Sequence, residues 1–161
     1  MSKRTYISQN ASPDVDDVVL PPDPELEGLV RRIATAAGDR KALDVVAVDL
    51  RGASAYTDAF VICTGRTDRQ AKAIHDSIHE GLKHDGERLL PKRTEGVQEA
   101  RWILLDYGDV VVHIFVPETR AFYRLESLWG DRPRFDVSDV AGETSVGGDG
   151  PGDDDEALYV D

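Results

Sequence analysis

A single cysteine, Cys63, stands in the whole chain, which rules out an internal disulfide framework and fits a reducing cytoplasm. It sits inside an apolar run and reads as a small buried hydrophobe rather than a nucleophile. Long apolar runs are missing too: none approaches the roughly 20 residues that a membrane helix needs. The opening M-S-K-R-T-Y-I-S has neither an apolar segment nor a small-residue cleavage site. It also lacks the Arg-rich amphipathic pattern of a transit peptide, so no targeting signal is read there. Basic charge is scarce: Lys and Arg number 19 against 31 Asp and Glu, a net charge of −12. A broad basic surface for non-specific phosphate binding is thereby excluded, and no direct sequence-specific nucleic-acid contact is expected.

The acid is unevenly placed. Residues 136–161 hold nine acidic and no basic side chains, while residues 1–24 hold four acidic and two basic ones. The stretch between them is nearly neutral. Residues 1–23 mix Ser, Asn, Asp and Pro without a period and run into L-P-P-D-P at residues 20–24, which predicts a flexible leader. Residues 138–161 are rich in Gly and Asp and too poor in apolar surface to offset their ordering entropy, which predicts an acidic disordered tail. Such a tail serves as a solubilising segment or as an electrostatic fender against RNA and basic partners. One domain is left, over residues 24–137.

Within it the hydrophobic periods are readable. Leu26, Leu29, Val30, Ile33 and Ala37 recur every three or four residues, predicting an amphipathic helix opened near Pro24 and closed at Gly38. Residues 44–50 and 59–64 are short and β-branched, hence strands. Thr67 or Asp68 caps a longer helix running to about His84, with a stripe of Ala71, Ile74, Ile78 and Leu82. Leu89 and Leu90 offer a short strand, and residues 91–100 read as a polar loop. Residues 101–116 form a hairpin, and Pro117 opens a last helix that places Phe122, Leu125 and Leu128 on one side. This order predicts an α/β (α+β) fold: a mixed sheet of about five strands with helices packed on it.

The hairpin carries the functional question. A turn centred on Tyr107-Gly108 pairs Trp102 with His113; one centred on Gly108-Asp109 pairs it with Phe115. Either way one face is aliphatic, with Ile103, Leu105, Val110, Val112, Ile114 and Val116. The other holds Trp102, Leu104, Asp106, Asp109, Val111, His113 and Phe115. Aromatics fringed by carboxylates suit a protein interface, where a Trp anchor is ringed by polar groups. They also suit charged groups at a strand end in an active site. A second core face beneath another helix is the plain alternative. Asp106 and Asp109, for their part, are also placed to cap their own turn.

Catalytic and metal readings are weaker. Asp44, Asp49, Asp106 and Asp109 would bind Mg²⁺ if the strands brought them together, and a Mg-dependent nucleotide-handling enzyme of nucleotidyltransferase type is the alternative function. That family's Gly-Ser loop is missing, since Gly65 is followed by Arg66, and no Asp-x-Asp pair lies on a strand. His75 and His79 share a helix face but lack a third ligand placed by spacing. His113 has no Ser or Cys nucleophile near it in sequence. No metal or cofactor is expected.

Five stretches together resemble the ribosomal silencing factor family, also called Iojap-like proteins: D-V-V-A-V-D-L, T-D-A-F-V-I-C-T-G, D-R-Q-A-K-A-I, W-I-L-L-D-Y-G-D-V-V-V-H-I-F and F-Y-R-L-E-S-L-W-G-D. They occur in the family's order and cover about residues 25–136. The resemblance implies a cytoplasmic, non-enzymatic translation repressor. Such proteins bind the large ribosomal subunit through the ribosomal protein numbered fourteen at the subunit interface. They block joining of the small subunit when nutrients are scarce. It also implies a nucleotidyltransferase-like fold without the catalytic set, and a homodimer when free. The partner-binding role falls on Trp102, Asp106, Tyr107, Asp109 and His113, joined by Tyr123 and Trp129 near the end of the last helix.

Overall fold

The computed structural model of the chain describes residues 20–145. The elements run α1 (Pro24–Gly38), β1 (Leu43–Asp49), β2 (Ala59–Thr64), α2 (Asp68–His84), β3 (Arg93–Glu95), β4 (Trp102–Asp106), β5 (Val110–Phe115), α3 (Pro117–Tyr123), a 3-10 helix (Leu125–Trp129) and β6 (Arg134–Phe135). Both long helices begin on side-chain caps. Asp23 accepts from the Leu26 amide at 3.1 Å and Thr67 from the Gln70 amide at 3.1 Å. Each cap satisfies a donor that the first helical turn leaves orphaned. The stripes then bury as their spacing requires: Leu26, Val30, Ile33, Ala34 and Ala37 on α1, and Ala71, Ile74, Ile78 and Leu82 on α2. Leu29 stays at the margin of that stripe, only partly buried.

The strands form one six-stranded mixed sheet in the order β3-β4-β5-β2-β1-β6. Only β2 and β5 run parallel; the other neighbours are antiparallel. One face takes α1 and α2 and holds the main core, where Ile103, Leu105, Val110, Val112 and Ile114 meet Val61, Cys63 and the two helical stripes. Cys63 is fully enclosed there, and burial pushes its thiol up to about 12, well out of nucleophilic range. The opposite face carries a smaller cluster of Val48, Leu50, Ile62 and Phe115, covered in part by Leu125 and Trp129 of the 3-10 helix.

Several expectations are corrected. Leu89 and Leu90 form no strand; the extra strand is Arg93–Glu95, inside the stretch read as a polar loop. It is an edge strand exposed at every residue, so no apolar alternation marks it. The sheet also gains β6 on its other edge, making six strands where about five were expected. The last helix stops early. Arg124 adopts a left-handed conformation with φ +44°, and the chain continues as a 3-10 helix. The rotation turns Phe122 and Leu128 to solvent, leaving Leu125 on the small cluster.

The packed chain runs beyond residue 138, where the tail was expected to begin. Val137 and Ala141 are buried in the main core, and Asp139 holds Arg31 through a two-pronged pair at 2.7 and 3.2 Å. Gly38 belongs to this contact, because a Cβ there would collide with the Val140 carbonyl. The rest of the expected tail, and residues 1–19 of the expected leader, lie outside the described residues.

Candidate protein-docking face

The hairpin adopts the second of the two registers. Trp102 stands opposite Phe115 and Asp106 opposite Val111, with Gly108 at φ +92° in the turn. His113 pairs with Leu104 and is therefore a diagonal neighbour of Trp102. The Trp102 indole N–H donates to His113 Nδ1 at 3.0 Å. That bond places the proton of the neutral ring on Nε2, which is buried without a hydrogen-bond partner. The ring meets Phe60 edge-on, centroids 4.6 Å apart at 72°. His113 is only 5% exposed, and burial lowers its pKa to about 4. It lies beneath the outer face, bonded to the indole, rather than exposed on that face as the alternation places it.

Tyr107 is corrected as well. In the register that forms, it continues the alternation of Ile103 and Leu105 just past β4, its amide donating to the Val110 carbonyl, and so faces the helix side, where it is 6% exposed within the main core. Desolvation pushes its phenol up to about 12. Asp106 does what the turn-capping alternative expects: Oδ1 accepts from the Gly108 amide at 2.8 Å. Its Oδ2 lies 3.9 Å from the Arg93 guanidinium. Asp109 is exposed at the hairpin tip, while its backbone carbonyl accepts from the amides of Asp58 and Ala59.

Four of the expected site residues come together on the outer face with Asp109 at its border. Tyr123, 53% exposed, packs on Trp102 with centroids 4.8 Å apart. Trp129 stands edge-on to Phe60 at 6.5 Å. Between Trp129 and Asp106 runs an open groove of about 610 Å³, floored by Phe60 and Val111 and flanked by Lys92 and Arg93. A second hollow of about 490 Å³ lies beside Trp102, Phe122 and Tyr123, edged by Arg101 and Glu118. Phe60 and Arg93 were missed from sequence. Phe60 reaches the face only because β2 runs parallel beside β5 and pairs Phe60 with Val111. Arg93 reaches it through the unmarked edge strand, opposite Asp106.

The four aspartates weighed for Mg²⁺ do not converge. β1 and β4 are separated by two strands, about 14 Å at the usual strand spacing. Asp44 accepts from Ser145, Asp49 holds Arg51 at 2.8 Å, and Asp106 caps its turn. His75 and His79 stack at 5.8 Å, each beside one neighbouring acid. Among the described residues no group of three or more His, Cys, Asp or Glu side chains is placed to hold a metal ion.

A sheet with two helices on one side and an aromatic, charge-rimmed surface on the other defines an α+β domain built to present one sheet face. The family described as "Ribosomal silencing factor during starvation" matches residues 23–155, and the chain belongs to it. Ribosomal silencing factor RsfS of Bacillus subtilis is 41% identical over 111 residues, which is 69% of this chain and 92% of that protein. The mouse protein named "Mitochondrial assembly of ribosomal large subunit protein 1" is 34% identical over 105 residues, 64% of this chain and 46% of its own length. A crystal structure of a Chromobacterium violaceum protein superposes with a TM-score of 0.62 at 31% identity, covering 65% of this chain and 86% of the other.

Proposed function

We propose that this chain represses translation by seating its outer sheet face on the large ribosomal subunit, through the subunit-interface ribosomal protein numbered fourteen. Its bulk then stands where the small subunit lands, and no chemistry is needed. One observation carries the reading: Trp102, Tyr123 and Trp129 gather on the sheet face that α1 and α2 leave open, with Asp106 lining the groove there and Asp109 exposed at the hairpin tip. Aromatic anchors in a partly desolvated setting dominate interface energies, and flanking carboxylates steer a basic partner and fix its register. The names of the relatives support a ribosomal setting. On this reading the protein works in the cytoplasm under nutrient limitation, is a homodimer when free, and uses no cofactor, membrane or direct sequence-specific nucleic-acid contact.

The test is subunit joining. Purified large subunits are incubated with the protein, small subunits are added, and the mixture is resolved on a sucrose gradient. The expected result is fewer joined ribosomes, with the protein migrating beside free large subunits. Undiminished joining at saturating protein would overturn the steric mechanism.

A further inference from the structure

The segment that carries Tyr123 and Trp129 has little apolar hold on the domain: neither α3 nor the 3-10 helix contains a buried residue, and neither has a side-chain cap at its start. Beside the partial packing of Tyr123 on Trp102 and of Leu125 and Trp129 on the small cluster, and the Arg132 bonds to the Asp49 and Arg51 carbonyls just past Trp129, the polar tie within the segment is Arg120, whose side chain is only 11% exposed. Its Nε and Nη2 both donate to Glu126 Oε2, at 3.0 and 2.8 Å, joining α3 to the 3-10 helix across the left-handed Arg124. Its Nη1 donates to the Asp44 carbonyl and the Thr64 hydroxyl, both at 2.9 Å. These are the anchor points on the sheet. Thr64 ends β2, and Asp44, at φ +46°, lies in the irregular register between Leu43 and Val46 on β1.

We infer that Arg120 is a positioning residue for the docking face: its fork, closed on Glu126 and seated on the β1 irregularity and Thr64, fixes where Tyr123 and Trp129 stand. This rests on the proposed function above. The guanidinium is suited to the task because it is planar and offers several donors in fixed directions, which a lysine ammonium does not. The clamp spans both sides of the Arg124 kink. Losing it frees the two aromatics together, while the main core on the helix side keeps all its contacts.

The test uses the full chain and isolated large ribosomal subunits. Affinity is measured for the wild type, Arg120→Met, Arg120→Lys, Glu126→Gln, Tyr123→Ala and the Arg120→Met/Tyr123→Ala pair, with urea midpoints for each. Trp129 is followed separately, by acrylamide quenching in a Trp102→Phe background, where it is the sole indole. Arg120→Met is expected to weaken binding about ten-fold, with Arg120→Lys no better than partial rescue. The pair is expected to bind no more weakly than the worse single variant, because both remove the same contact. Trp129 quenching should rise in Arg120→Met. Should that variant fail to fold, Glu126→Gln carries the same expectations at smaller size. Wild-type affinity in Arg120→Met, or full additivity in the pair, overturns the inference. A lowered urea midpoint with unchanged affinity and quenching leaves Arg120 a merely structural residue and also overturns it. Failure of the wild type itself to bind sinks the docking reading instead.

Discussion

His113 shows most plainly how one residue shapes the face from beneath it. Its Nδ1 accepts the Trp102 indole proton, so the ring has to stay neutral. Burial enforces this by lowering the pKa from 6.5 to about 4. In the unfolded chain the ring titrates near the ordinary value. Above pH 6.5 neither state takes up a proton there, and the contribution to stability is fully present. Between 6.5 and about 4 the unfolded chain binds a proton that the folded chain refuses, so stability falls as pH falls. The loss through that window is about 3 kcal/mol. Urea midpoints recorded from pH 7 to 4 should show it, and His113→Phe should flatten that part of the slope. An identical slope in the variant would count against the buried neutral ring. The pairing of Trp102 with His113 was half legible in the sequence. Alternation puts both on one face in either register, yet the bond depends on which register forms. Tyr107 waits on the same choice: with the turn at Gly108-Asp109 it continues the alternation of Ile103 and Leu105 onto the buried face, whereas with the turn at Tyr107-Gly108 it would sit in the turn itself.

At the scale of elements, what could be read and what could not divides along hydrophobic period. α1 and α2 bury one stripe each, so spacing located both, with Pro24 marking the start of the first and the Thr67 cap that of the second; the cap of α1, Asp23, went unread. Thr67→Ala should cost about 1 kcal/mol of stability, since the Gln70 amide loses its acceptor. Thermal or urea unfolding checks this, and an unchanged midpoint would mean that water replaces the cap without loss. β3 left no period because it pairs by backbone alone at an exposed edge. The break at Arg124 is equally silent: a non-glycine residue at φ +44° carries no sequence mark, and the apolar spacing of Phe122, Leu125 and Leu128 favours one continuous helix. Asymmetric cover of the sheet follows from these short elements. The long helices cover one face, and among the described residues only a 3-10 helix and a short α-helix lie on the other.

The whole molecule extends further along the chain than its composition implies. Gly and Asp from residue 138 onward look like solvent-loving tail, yet Ala141 reaches the core beside Gly38 and Asp139 holds Arg31. One alanine in an acidic stretch is too faint a signal to read. Ending the chain after Phe135 should therefore lower stability by more than about 2 kcal/mol, measured as a urea midpoint against the full chain. An unchanged midpoint would show that this stretch adds nothing to the fold. The same stretch reaches the seat of the Arg120 clamp, since the Glu143 carbonyl and Ser145 bind Asp44, so docking is measured on this truncation beside its urea midpoint. The most direct measurement of the central claim is co-sedimentation of the full chain with isolated large ribosomal subunits, comparing the wild type with an Asp109→Lys/Tyr123→Ala variant. Asp109 is exposed and Tyr123 half-exposed against Trp102, so the variant's urea midpoint, recorded beside the wild type's, should fall only slightly. The wild type is expected to pellet with the subunits and the variant to stay in the supernatant. Equal pelleting of the two would contradict docking through this face.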